Sequence, residues 1–436
     1  MRRGILLMFT TILLSFPPTL WADAYIKAHR EASITTTGAQ TFTIAGLNGA
    51  TPKGAIVTVT MALTDNTEAT HSVLSYGVTD CTNEFSLGAS DRSGLLTTDT
   101  NRRGSRTQAV TIYDPAVAGG TTIEASADAS CAANAIVLTW DVAPAVAYLV
   151  HIVAFVGSDW QLKANSFVQN TTIDGILDIV DVGFQPEVVF CGAMGVGSAS
   201  FLNNSADSRL GLGVAVASPA SQGSVSQASG DAITGGATYG GGTSTLYACN
   251  SSIPADFLEG TVELGTFDAQ GFTATTRLES HTFEFIYLAA TTGGKARHWS
   301  GPIAAPAAPE TTTYSGPGWT PGGGIIFWQG STLADTEYTD DNAGILGMSL
   351  MDATNQFTVT TRGDDTAVTS ATGSLSDNIA VHVLSAAGAN RLVGTLTSFG
   401  ATGPIINWTT TSATVGYGWF LESIATRPPR RVLFLN

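Results

Sequence analysis

A glycine, two further residues and a proline stand together three times in this chain, as Gly49-Ala-Thr-Pro52, Gly183-Phe-Gln-Pro186 and Gly318-Trp-Thr-Pro321. The prolines lie 134 and 135 residues apart. A period that long, held that closely, means that one structural unit recurs. Each motif runs into an apolar segment: Ala55 to Val59, Val188 to Phe190 and Ile325 to Trp328. Proline fixes φ and lacks an N–H, so it suits the turn that enters a strand.

Two more landmarks follow at matching offsets. A glycine stands 25, 27 and 26 residues after the prolines, at Gly77, Gly213 and Gly347. Near the end of each unit comes a strand pair across a short polar turn. These pairs are Ala135 to Trp140 with Tyr148 to Phe155, Gly271 to Thr276 with Phe283 to Ala290, and Pro404 to Trp408 with Tyr417 to Ile424. Stretches such as Val57 to Met61 and Phe357 to Thr361 alternate apolar with polar at period two, the pattern of a half-buried strand. Helical periodicity is nearly absent. Only 12% of residues are charged, while glycine alone supplies 48 positions. That composition suits strands and tight turns over long surface helices.

The expected fold is all-β, with three tandem antiparallel β-sandwich or jelly-roll-like domains of about 130 residues. The boundaries fall at residues 34–157, 162–294 and 300–425. Gly157 to Asp159 and Gly293 to Arg297 read as short joints, and Pro302 to Pro309 as a stiff lead-in to the third unit. Ala217 to Thr245, rich in Gly and Ser, reads as a loop or irregular edge. The units are expected to lie along a rod.

The N-terminus has the order of a secretory signal peptide. Arg2 and Arg3 precede thirteen residues, Gly4 to Phe16, that are predominantly apolar, and the small-residue triplet Ala22-Asp23-Ala24 follows. The apolar stretch is short for a bilayer span. Residues 1–24 are therefore expected to be removed, leaving an exported chain with no membrane segment. Taking Arg2, Arg3 and Asp23 away from 19 basic and 35 acidic residues leaves 17 against 34. Such an acidic excess argues against a nucleic-acid partner. Residues 426–436 form a basic tail around Arg427, Arg430 and Arg431.

Export and an even cysteine count suggest disulfides within units. The expected pairs are Cys81 with Cys131 and Cys191 with Cys249, with buried free thiols as the alternative; Cys191 in particular sits in an apolar strand. Catalytic signals are sparse. The histidines His29, His71, His151, His281, His298 and His382 fall at different places in the units and at no metal-ligand spacing. No nucleophile elbow, P-loop or dinucleotide fingerprint occurs. The acidic stretch with Asp335, Glu337, Asp340 and Asp341 is the candidate for a bound Ca²⁺, although it lacks the EF-hand glycine and terminal glutamate. Asp364-Asp365 has the same standing. No resident cofactor is expected. Trp299 and Trp319, in Gly/Pro-rich segments, are the candidate binding surface, with packing between units as the plainer alternative.

Gly183-Phe-Gln-Pro-Glu-Val-Val-Phe190 after Asn165 to Phe167, with Gly271 to Thr273 and Tyr287 to Ala290 near the unit's end, resembles a β-rich repeat family of tailed bacteriophages and prophages. The resemblance spans nearly all of residues 34–425. It implies a virion structural protein with no catalytic residues to carry over. Ala50 replaces the aromatic of the motif in the first unit, and Pro404 stands where the second unit has Phe272. A signal peptide departs from the pattern of proteins assembled in the cytoplasm. The expectation is thus an exported, non-enzymatic structural or surface-interaction protein of virion type, such as a fibre, spike or decoration. A secreted adhesin or carbohydrate-binding protein is the alternative, and a glycan hydrolase using Glu337 and Asp340 a distant third. The partner would be a protein or a cell-surface glycan, engaged by a homo-oligomer or larger assembly.

Overall fold

The computed structural model describes residues 23–113, 122–203, 205–218, 220–231, 238–243, 247–249, 260–279, 283–330, 343–364, 369–385 and 388–423. Every strand pairing among them is antiparallel, and no helix occurs in these segments. Each third of the chain contributes one large and one small sheet.

In the first unit the large sheet runs, side by side, Tyr25–Ala32, Leu149–Val156, Gly54–Thr60, Ser72–Thr79, Glu84–Asp91 and Thr100–Ser105. The second has Gln161–Val168, Glu284–Thr291, Val188–Ala193, Ser208–Ala217, Ala220–Ser229 and Thr238–Thr243. The third has His298–Ala304, Val415–Glu422, Pro321–Gln329, Ala343–Asp352, Gln356–Asp364 and Ala371–Asp377. The small sheets are Gly38–Thr43, Ala135–Val142, Ile123–Ala132 and Val110–Tyr113; then Ile176–Ile179, Gly271–Glu279, Gly260–Asp268 and Tyr247–Cys249; then Thr311–Thr313, Gly403–Thr410, Asn390–Gly400 and Val381–Leu384. The order of strands is the same in all three. One extra strand, Ser205–Ala206 of the second unit, adds to the edge of the first unit's large sheet. The Gly/Ser-rich stretch from Ala217, read from sequence as a loop or irregular edge, supplies regular strands among its described residues: Ala220–Ser229 pairs residue for residue with Ser208–Ala217, and Thr238–Thr243 forms the edge of the sheet.

Pro52, Pro186 and Pro321 each enter the third strand of their large sheet. Counting from them, Ile56 pairs with Val153, Phe190 with Leu288 and Ile325 with Trp419, four residues in at every copy. The glycine landmark keeps this register twice, where Val57 faces Gly77 and Cys191 faces Gly213. In the third unit Ile326 faces Ser349, and Gly347, two residues before it, faces Trp328.

Both faces of each large sheet are buried. One face packs on the unit's own small sheet: Val57, Ile152 and Trp140 in the first, Cys191, Tyr287 and Phe272 in the second, Trp328, Phe420 and Trp408 in the third. The opposite faces meet one another in a single core drawn from all three units, including Ile56 and Val153, Phe190 and Leu288, and Ile325 and Trp419. Burial on both faces explains why Leu149–Val156 is fully buried and reads as an almost unbroken apolar run, whereas Ala135–Val142, with one wet face, alternates. The expected rod is therefore replaced by a closed body, because an apolar face on each large sheet has no cover except its two neighbours.

At the centre one aromatic ring comes from each unit. Phe190 lies 4.9 Å from Trp419 and 5.9 Å from Phe155, and Phe155 and Trp419 are 6.3 Å apart. Closure is head to tail. The first strand of the second unit docks on the first unit, where the Ala164 amide donates to Asp80 at 3.0 Å. The first strand of the first unit docks likewise on the third, where the Ala28 amide donates to Asp352 at 2.9 Å. The first strand of the third meets the second through Ser300 and Ser221, whose hydroxyls lie 2.6 Å apart. Ala28, Ala164 and Ser300 are equivalent in the proline register. Glycine permits the approach: a Cβ at Gly54 would stand 2.6 Å from Leu162 of the second unit, and one at Gly323 2.5 Å from Ile26 of the first.

Candidate functional site

Polar side chains from all three units converge at the end of the shared core away from the aromatic rings. Ser72 and Leu74 of the first unit, Ser208 and Gln227 of the second, and Leu346 and Thr361 of the third line a cavity of about 10 Å³ there, room for roughly one water. The Thr361 hydroxyl donates to Gln227 Oε1 at 2.6 Å, while Gln227 Nε2 is buried with no partner among the described residues. Asp91 lies close by at the end of the strand Glu84–Asp91 and is 1% exposed. Burial pushes its carboxyl up to about 7, with the Asp231 and Asp207 carboxylates adding to the shift and hydrogen bonds from Ser208 and Ser229 opposing it. The arrangement can hold a water and a carboxyl proton between units. It is too small to take a substrate.

A second raised carboxyl, Glu84, begins the same strand. Burial pushes it up to about 8, the Ala129 amide works against that, and Asp128 and Asp141 add to it. Seven residues of extended strand put about 24 Å between Glu84 and Asp91, so the two do not act on one reacting group. Glu187 is perturbed in the other direction. Burial raises it, but the hydrogen bonds and charge of His298 and the hydrogen bonds of Thr292 outweigh that and hold it near 2. His298 Nε2 lies 3.2 Å from Glu187 Oε2 and so ties the third unit's first strand to the second unit.

The histidines stay apart. His382 lies between Asp377, 2.7 Å from Nδ1, and Asn390, 2.8 Å from Nε2. His151 occupies the shared-core face at the position of Ile286 and Tyr417 in the other units, and its Nε2 is 2.8 Å from the Ser376 hydroxyl of the third unit. Burial, with the nearby charges of Arg30 and His29, lowers its pKa from 6.5 to about 3. The unfolded chain therefore takes up a proton below pH 6.5 that the folded one refuses, so stability is full above 6.5 and is lost as pH falls towards 3. Urea unfolding of the protein and of His151→Ile, which copies Ile286, checks this. The wild type should lose about 3 kcal/mol more than the variant between pH 6.5 and 4. Parallel curves would show that His151 is charged in the fold.

The residues singled out in the sequence are scattered. Trp319 is 7% exposed, packed in the third unit's core under the Arg297 guanidinium, which stands 5.5 Å from its ring. Trp299 is half-buried, with its ring stacked 5.9 Å from Phe420. The two pack at the third unit's core in place of a shared exposed face. Asp335, Glu337, Asp340 and Asp341 lie outside the described residues, as do Asp365, His281 and the basic tail. Among the described residues no three His, Cys, Asp or Glu side chains come together as a metal site.

Cys81 and Cys131 form a disulfide with Cα atoms 5.4 Å apart, joining a large-sheet hairpin to the small sheet of the first unit. The second expected bridge is not made. Cys191 is a free thiol, buried in the middle of Val188–Ala193 between Gly213 and Tyr287, and burial raises its pKa. It serves as a small apolar side chain of the core, while Cys249's side chain lies outside the described residues.

Sequence reading missed the residues that close the ring. Asp80-Cys-Thr-Asn83 and Asp352-Ala-Thr-Asn355 carry the same aspartate cap, although only the first turn has a left-handed residue, Cys81 at φ +68°. In each, one carboxylate oxygen caps the turn: Asp80 Oδ1 accepts from the Thr82 and Asn83 amides at 2.9 and 2.7 Å, Asp352 Oδ1 from those of Thr354 and Asn355 at 2.6 and 2.9 Å. The other oxygen accepts the amide from the next unit. No family model, curated protein or solved structure matches this chain.

Proposed function

We propose that the three strand sets are three copies of one jelly-roll-like β-sandwich domain, and that the protein is an exported, non-catalytic structural component of phage or prophage type, working as a rigid block in a particle or on a surface. The observation that carries this reading is the shared core closed head to tail. Three units interlocked through Phe155, Phe190 and Trp419 and through Asp80, Asp352 and Ser221 make one body with fixed outward faces. A rigid body loses little conformational freedom when it joins an assembly, so contacts on its faces convert efficiently into binding. The partner in this reading is a protein surface, either a neighbouring component or a further copy of this chain.

Fractionation of the producing culture tests it. Lysate and supernatant are run on a density gradient and probed with antibody against the folded chain. Co-migration with particles is the expected result. Recovery only on intact cells, released by a soluble glycan, would replace this reading with the adhesin.

A further inference from the structure

Asp23 and Ala24, the two residues before the Tyr25 start that the small-residue triplet suggests, are part of the fold. Ala24 is fully buried and belongs to the core shared by the three units. Asp23 before it is tied on three sides to the joint between the first and second units. Its backbone N donates to Asp159 Oδ2 at 2.6 Å, its carbonyl accepts from the Asp159 amide at 3.1 Å, and its carboxylate accepts from the Ser158 amide at 2.9 Å. Gly157 makes room: its φ is +113°, and a Cβ there would stand 1.8 Å from the Asp23 carbonyl oxygen. The Asp159 side chain is 8% exposed, and its other oxygen is held by Lys295 in the joint between the second and third units. Asp23 is thus part of the hub where the joints meet.

A cut after Ala24 would delete these bonds and a buried core residue, and would leave a charged amine on Tyr25 at the first rung of the ladder with Val156. A cut after Ala22 keeps all of them. It has a small residue on the acyl side of the bond, with Leu20 two places further back.

We propose that the exported chain is processed between Ala22 and Asp23, and that the new α-ammonium of Asp23 pairs with Asp159. The inference rests on the export reading. The reaction is a hydrolysis by a leader peptidase selective for small residues: water adds across the Ala22–Asp23 peptide bond, the C–N bond breaks, hydroxyl goes to the Ala22 carbonyl carbon and hydrogen to the Asp23 nitrogen. The free amine then takes up a proton near neutral pH. One of its three N–H groups keeps the 2.6 Å hydrogen bond to Asp159 Oδ2, which the new positive charge strengthens.

The test is the N-terminal residue of the full-length protein after expression with its own leader, read by intact mass and N-terminal sequencing of the secreted material. Asp23 is expected. Tyr25, or any other first residue of a secreted chain, would overturn the site and leave export standing. A cell-retained chain keeping residues 1–22 would overturn both. The pairing is read separately from the pKa of the α-amino group, followed by pH-dependent amine labelling. It should lie about one unit higher in the protein than in Asp159→Asn. Equal values in the two would show that the amine and Asp159 do not interact.

Discussion

Replacing Trp419 with alanine is expected to lower the unfolding free energy of the whole chain by about 4 kcal/mol, in the middle of the range for deleting a buried aromatic side chain. Trp419 is fully buried and touches rings from both other units, with Phe190 at 4.9 Å and Phe155 at 6.3 Å. The surrounding wall consists of sheet, which cannot collapse into the hole as a flexible loop would. Its indole N–H has no hydrogen-bond partner among the described residues, so the ring contributes through packing. Trp419→Phe should consequently cost much less, about 1 kcal/mol, by keeping an aromatic ring while removing an unpaired donor. Urea unfolding followed by circular dichroism, and by hydrogen exchange in each unit, measures both. If the alanine variant loosened only Val415–Glu422 and left the first two units at full stability, the shared core would not be one cooperative body.

The second large effect belongs to the disulfide. Opening the Cys81–Cys131 bridge should lower stability by about 4 kcal/mol, since the bond closes a loop of 50 residues and so restricts the unfolded chain. The bridge also holds the hairpin that carries Asp80, the acceptor for the second unit's Ala164 amide. Reduction should therefore weaken protection of the strand Gln161–Val168 as well as the first unit itself. The urea midpoint of a Cys81→Ala/Cys131→Ala double variant, set against the reduced and oxidised wild type, reads the first effect. Hydrogen exchange at Ala164 reads the second. An unchanged midpoint would mean that the bond merely decorates a fold complete without it.

How much of this was open to sequence reading varies with the physics of each feature. Proline has so few permitted positions near a strand that Pro52, Pro186 and Pro321 mark equivalent entrances without any other information. The first disulfide was legible for a similar reason, its two half-cystines standing outside apolar strands. The closed arrangement was not. A strand buried against its own small sheet and one buried against two other units both read as apolar, and nothing in LVHIVAFV, residues 149–156, says what covers its second face. Trp319 misled because Gly and Pro around it suggested exposure, when those residues form the turn that places it under Arg297. Cys191 misled because pairing cysteines by count ignores that a central strand position can suit a small thiol. The closing turns were legible but unread: Asp-x-Thr-Asn recurs after 272 residues, close to two periods, and an Asp that caps a turn with one oxygen has another to give.

Head-to-tail closure also bears on what recombination can do to the gene. On the proposed reading of three copies of one domain, unequal crossing-over would add or remove a whole repeat. Loss of one would leave a donor strand such as Tyr25–Ala32 without its acceptor turn, and the inner faces of two large sheets in water. Gain of one would supply a fourth repeat to a circle that three already complete. On that reading a closed circle holds the copy number at three and gives each repeat its own place. Ser221 and Ser300 where the other junctions use an aspartate and a backbone amide, and His151 where its counterparts are Ile286 and Tyr417, are the kind of differences that such confinement permits.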